Sequence, residues 1–190
     1  MKKYSIVAML LVALSTPAFS QKTISGVSLP GALKVGDKTL SFVGGGIRKK
    51  LFIDVYVSAL YLQNKSKDGV AISKANEPQV VRLAIVSGLV TSEKMIEATT
   101  EGFEKSTGGN TAPIKDKIKI FQDVFKKEPI VKGDVYDFVY TSADGLKVIK
   151  NGKVAAIVPG LDFKAALFGI WIGANPVDEK LKAGMLGTAE

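Results

Sequence analysis

Strands, a pair of helices, antiparallel strands and a second pair of helices follow one another along this chain, an order that predicts an α+β fold with a mainly antiparallel sheet. Three observations carry that prediction. Helical patterns come in runs and do not alternate singly with strands. Asn151-Gly152 lies between two short apolar segments and reads as a type I′ hairpin turn, because such a turn needs positive φ at both central residues. Residues 51–63 alternate between an aliphatic set (Leu51, Ile53, Val55, Val57, Ala59, Tyr61) and a mixed set that includes Phe52, Asp54, Tyr56, Ser58 and Leu60, the period of a strand with two different faces.

Residues 1–20, MKKYSIVAMLLVALSTPAFS, precede the predicted fold. Lys2 and Lys3, the apolar run Ile6 to Leu14 and the small-x-small Ala18-Phe19-Ser20 form the pattern of a cleaved secretory signal peptide. The alternative for this segment is an uncleaved anchor, for which it is short. The expected mature chain, 21–190, is one domain, exported to the periplasm and without a stable membrane span. Within it, strands are expected at 23–29 and 39–43, with Pro30-Gly31 as a turn, and then at 51–63 and 79–87. A helix follows over 91–105, with Thr91 or Ser92 as its cap and Met95, Thr99 and Phe103 on one face. The next helix starts at Asn110 or Thr111, takes Pro113 in its first turn, and aligns Ile114, Ile118, Phe121 and Phe125. Strands return at 134–141, 146–150 and 153–158. Asp162 caps a helix that runs through Trp171 to Gly173, and Asn175-Pro176 opens a final one.

Composition narrows the chemistry. The chain has no cysteine and no histidine, which removes disulfides, Ser/His and Cys/His nucleophile pairs, and the usual zinc ligands. No loop suited to a hard cation appears, and no cofactor is expected. The net charge is +8, but the lysines are scattered and only Arg48 and Arg82 among the 26 basic residues are arginines, so no nucleic-acid partner is expected. The oligomeric state is not legible.

The stretch VGGGIRKKLFIDVYVSALYL, 43–62, holds the candidate site. Gly44–Gly46 lack the spacing of a phosphate loop and lead into a strand, so a bulge or bend explains them. Arg48 can fork onto a carboxylate, which a lysine cannot do, and Tyr56 offers a neutral donor to the same oxygens. Eight residues of continuous strand would hold the two about 26 Å apart, so they converge only if the chain reverses near Lys49-Lys50. The residues alone leave open a surface arginine beside a half-buried tyrosine, or an Arg48–Asp54 ion pair that blocks anion binding. Arg82, amid valines and leucine, reads as a charge on the solvent face of its strand, with a pocket role as the alternative.

Three segments, GGGIRKKLFIDVYVSALYL, VTSEKMIEATTEGFEKS and NGKVAAIVPGLDFKAALFGIWIGANPVDEKLKAGMLG, resemble the chalcone isomerase superfamily, and within it the exported bacterial chalcone isomerase-like branch. The resemblance runs from about Val27 to Gly187. It implies an open-faced β-sandwich, a large antiparallel sheet covered on one side by helices, with a ligand cleft between. Plant isomerases of this kind keep an arginine after the glycines to activate the substrate oxygen. Fatty-acid-binding relatives pair that arginine with a tyrosine on the next strand to grip a carboxylate. Arg48 matches the arginine, and Tyr56 falls where the isomerases have threonine and the binders tyrosine. Thr91 and Ala98 stand where the isomerases have a catalytic tyrosine and an asparagine. The resemblance thus implies a non-catalytic binder of a fatty acid or similar amphipathic carboxylate, with Arg48, Tyr56 and Thr91 as ligand-binding residues and Phe52 and Leu60 around the tail. The rival expectation is an intramolecular isomerase or lyase acting on a chalcone-like or other small enone.

Overall fold

The computed structural model describes residues 21–189, so the expected signal peptide lies outside the described residues. Among the described residues, nine strands form a two-stranded and a seven-stranded antiparallel sheet: β1 Lys22–Ile24, β2 Val27–Leu29, β3 Ala32–Val35, β4 Lys38–Lys50, β5 Ile53–Leu62, β6 Gln79–Ile85, β7 Val135–Thr141, β8 Gly145–Lys150 and β9 Lys153–Val158. The large sheet keeps chain order, β3-β4-β5-β6-β7-β8-β9, and every neighbour is antiparallel. Five helices, α1 Gly69–Lys74, α2 Ser92–Thr107, α3 Lys115–Lys127, α4 Leu161–Ile172 and α5 Glu179–Met185, pack against one side.

The alternation of β5 sorts its side chains as expected. Tyr56, Leu60 and Leu62 join the main core beneath the helices, while Val57, Ala59 and Tyr61 join a smaller cluster on the other face. That other face is not bare: the β1–β2 hairpin brings Leu29 onto it. The main core is dense in aromatic rings. Phe121 meets Phe125 edge-on at 5.2 Å between centroids, and Phe138 stacks on Trp171 at 5.7 Å. Such pairs add to the area they bury. α4 is buried almost all round, which is why its sequence carries no polar stripe.

Several boundaries differ from expectation. The expected strand 23–29 is two strands, because Ser25-Gly26 turn between them with φ of 47° and 76°. The glycine stretch lies inside β4, where the register shifts between Phe42 and Gly44, so the expected bulge is present but the strand continues through it. The expected strand 51–63 begins at Ile53, since Leu51 and Phe52 are the two central residues of the β4–β5 turn. α1 was not legible, six residues being too few for a helical period to show. α4 starts one residue before Asp162, which sits in its first turn and meets Lys117 at 2.7 Å instead of capping. α5 is capped by Asp178 and not opened by Asn175-Pro176.

The Leu51-Phe52 turn is unusual in its residues. Both have left-handed φ, 56° and 74°, the geometry that Asn151-Gly152 adopts at 50° and 79° in the β8–β9 turn. Left-handed φ on a bulky residue costs about 1–3 kcal/mol, and glycine or asparagine is the usual way to avoid it.

Candidate functional site

The reversal that would let Arg48 and Tyr56 converge is present. The hairpin turns at 51–52 and puts Arg48 directly opposite Tyr56 in the β4–β5 register, so both side chains leave the same face of the sheet, the one under the helices. Tyr56 is buried. Its hydroxyl oxygen accepts a hydrogen bond from the Trp171 indole N–H of α4 at 3.0 Å. Burial pushes the phenol above its ordinary range, the Trp171 bond and the Arg48 charge pull it down, and the Asp178 charge raises it. The net rise keeps the hydroxyl protonated, hence a donor.

Arg48 is partly buried and already has a carboxylate. Its Nη1 donates to Asp178 Oδ2 at 2.9 Å and to the Lys49 carbonyl at 3.1 Å. Asp178 is thus engaged twice, for its Oδ1 accepts from Leu181 N at 3.0 Å as the cap of α5. The alternative of an Arg48–Asp54 pair is not the one found: Asp54 meets Lys49 at 2.7 Å and Ser25 at 3.0 Å. Among the described residues, the Nε–Nη2 edge of Arg48 meets no acceptor, so the side of the guanidinium suited to a two-pronged carboxylate contact is unengaged.

The glycines explain how α5 reaches Arg48. A Cβ on Gly44 would run into the Gly184 carbonyl and lie 2.7 Å from Gly187 N, and one on Gly46 would lie 3.1 Å from Leu181 Cδ1. The glycines of β4 therefore form a bare backbone floor on which α5 and its trailing turn rest, with Asp178 carried over Arg48.

Thr91 caps α2, its Oγ1 accepting from Lys94 N at 3.3 Å, and it is exposed six residues beyond Ile85, the residue paired with Tyr56. It makes no hydrogen bond to Arg48 or Tyr56 among the described residues. Ala98 is exposed on α2. Phe52 does not line a cavity as expected; it stands fully in solvent, because it occupies the turn and not the strand. Leu60 is buried in the main core. Arg82 lies on the helix-free side, but not as a charge open to solvent: it is largely buried and forks onto Asp137 of β7 at 2.7 and 2.8 Å. Two surface grooves, of about 420 Å³ beside the β8–β9 turn and about 250 Å³ beside α1, lie away from Arg48 and Tyr56.

Sequence reasoning missed Asp178 and Trp171. Asp178-Glu179, a cap followed by an acid in the first turn, was a usable signal for the first. Nothing local marked Trp171 as the partner of Tyr56, since 115 residues separate them.

The profile of chalcone isomerase-like proteins matches residues 21–187. The chain belongs to the chalcone isomerase-like family. Among solved structures, a fatty-acid-binding protein of Arabidopsis thaliana shares this family fold with a TM-score of 0.68 and 20% identity, covering 88% of this chain and 96% of its own. No curated protein matches the chain. The family fold thus accounts for the sheet and its helical cover.

Proposed function

We propose that this chain is an exported periplasmic protein that binds a fatty acid or similar amphipathic carboxylate between sheet and helices, without catalysis. The observation that carries this reading is the cross-strand pair itself. Arg48 presents an unengaged guanidinium edge, and the buried, protonated Tyr56 beside it has already used its oxygen as acceptor toward Trp171, leaving its O–H to donate. The fold it shares with a plant fatty-acid-binding protein supports the ligand class. The pattern of residues 1–20 supports export.

In this reading the ligand carboxylate takes the free edge of Arg48 and the Tyr56 hydroxyl, and Thr91 stands at the rim. The tail needs space that the aromatic core fills, so α5 moves: its Leu181 and Met185 leave the sheet and alkyl groups take their place. Each buried CH₂ contributes about 0.8 kcal/mol, so the tail supplies most of the affinity and Arg48 sets the orientation. Titration calorimetry with a long-chain fatty acid and its methyl ester tests this. The acid is expected to bind the wild type at least about tenfold more tightly than the ester, and Arg48→Ala to remove the difference, as loss of a charge-assisted bond predicts. Equal affinity for acid and ester would overturn the reading.

A further inference from the structure

The β4–β5 turn combines three features that ordinary hairpin turns avoid together. Its central residues have left-handed backbone conformations yet carry large apolar side chains, and both are open to solvent, Leu51 at 82% and Phe52 at 101% of full exposure. The same chain builds its β1–β2 and β8–β9 turns from Ser25-Gly26 and Asn151-Gly152 at nearly the same φ. Bulky residues are therefore not needed to close a turn of this kind here. Packing does not account for them either, since they are exposed. Strain kept with no return inside the fold points to a use outside it.

The surroundings define that use. Ile53, next in the chain, is exposed, and so is Leu89 in the segment after β6, whose Val86 N donates to Val55 O and so brings that segment to the same end of the sheet. Behind this apolar tip stand cations. Lys50 has no acidic partner among the described residues, Lys49 balances Asp54, and Lys94 reaches the Leu89 carbonyl at 3.1 Å. Order along the axis is apolar tip, then lysines, then the body of a chain whose net charge is +8.

We propose that this tip docks the protein on an anionic phospholipid surface, Leu51 and Phe52 entering the boundary between headgroups and acyl chains while Lys50 and Lys94 lie at the phosphates. A lipid surface fits better than a protein partner on grounds of shape. A convex two-residue turn offers a few hundred Å² of apolar area, against roughly 1,200–2,000 Å² for a stable protein interface. A fluid interface closes around a protruding tip, which a flat protein face does not. The inference stands independently of the ligand reading. Where that reading also holds, Arg48, three residues behind Leu51, sits about 10 Å from the tip.

Flotation of the mature protein with vesicles of phosphatidylcholine, with and without phosphatidylglycerol, tests the proposal. Wild type is expected to float with the anionic vesicles and to be released by high salt. The double variant Leu51→Asn with Phe52→Gly installs the turn residues this backbone prefers. It is expected to melt at a higher temperature than wild type and to lose at least about tenfold in vesicle affinity, with unchanged fatty-acid calorimetry in vesicle-free buffer. Lys50→Glu is expected to weaken flotation while leaving melting unchanged. The proposal is overturned if wild type fails to float, if neutral vesicles bind it equally, if the double variant floats as well as wild type, or if that variant melts lower, which would make the tip a structural element. Sedimentation showing a wild-type dimer that the double variant abolishes, with no flotation, would assign the tip to self-association.

Discussion

Lys164 enters the core because three carbonyl oxygens at the end of α1 receive its Nζ: Ile72 O at 2.8 Å, Ser73 O at 3.0 Å and Ala75 O at 2.8 Å. The rings of Tyr140 and Phe168 flank it. Burial pushes the ammonium down to about 7 from its ordinary 10.5, with Glu77 pulling weakly the other way. Between those values the unfolded chain binds more protons than the folded one, so this residue makes stability rise with pH across the window from 7 to about 10. Lys164→Met takes the donor from Ser73 O and Ala75 O, while Ile72 O keeps its bond from Ala75 N, and is expected to lose about 2–3 kcal/mol in urea unfolding at pH 7, with the deficit widening toward pH 10. At the candidate site, Asp178 already neutralises the charge of Arg48 that the proposed ligand would use. Asp178→Asn keeps the cap of α5 but withdraws the charge, so calorimetry should show several-fold tighter binding of a fatty acid. Looser binding would mean that Asp178 serves the site instead of blocking it. The residue scale was the least legible in the sequence. Arg48 and Tyr56 stood out by type and spacing, whereas Asp178, Trp171 and Lys164 matter through partners that lie 130, 115 and 92 positions away.

Among the elements, what the sequence announced depended on length and on turn chemistry. Long periodic segments such as α2 and α3 were legible because their apolar faces repeat over several turns, and the β8–β9 hairpin because Asn-Gly admits few other conformations. α1 was hidden by its six residues. The start of β5 was misplaced because Leu51-Phe52 has the chemistry of a strand and the backbone of a turn. The glycines of β4 spoke of bending and proved to be a floor for α5. Gly44→Ala tests that role: its Cβ would meet backbone atoms of Gly184, Gly187 and Met185, which no rotamer change relieves. Urea unfolding is expected to register a loss of about 3 kcal/mol, against a few tenths for Gly88→Ala, whose Cβ meets nothing within 4 Å.

The whole molecule was the most legible, since fold class follows from the order of elements and not from their exact ends. An α+β reading survives a strand split at Ser25-Gly26 and a helix start shifted to Asp178. Whether the interior admits a ligand was not legible, because that depends on how α5 and the aromatic rings share one volume. If α5 yields to a fatty acid that only the folded chain binds, mass action raises stability by about 2.7 kcal/mol at a hundred times Kd. A thermal melt with added fatty acid should therefore move upward for wild type and far less for Arg48→Ala. No movement for either would argue that α5 stays put.

The glycine floor also joins the two ends of the chain. Ile24, near the start, presses on Gly45 from one face of β4, while Leu181 and Gly184, near the finish, press on Gly46 and Gly44 from the other. Along the chain the floor of β4 precedes the α5 segment that covers it, Arg48 and its partner Asp178 standing 130 positions apart. Without the α5 segment Arg48 would lose its carboxylate partner and the Gly44 and Gly46 backbone its cover, so that segment acts as the latch of the domain.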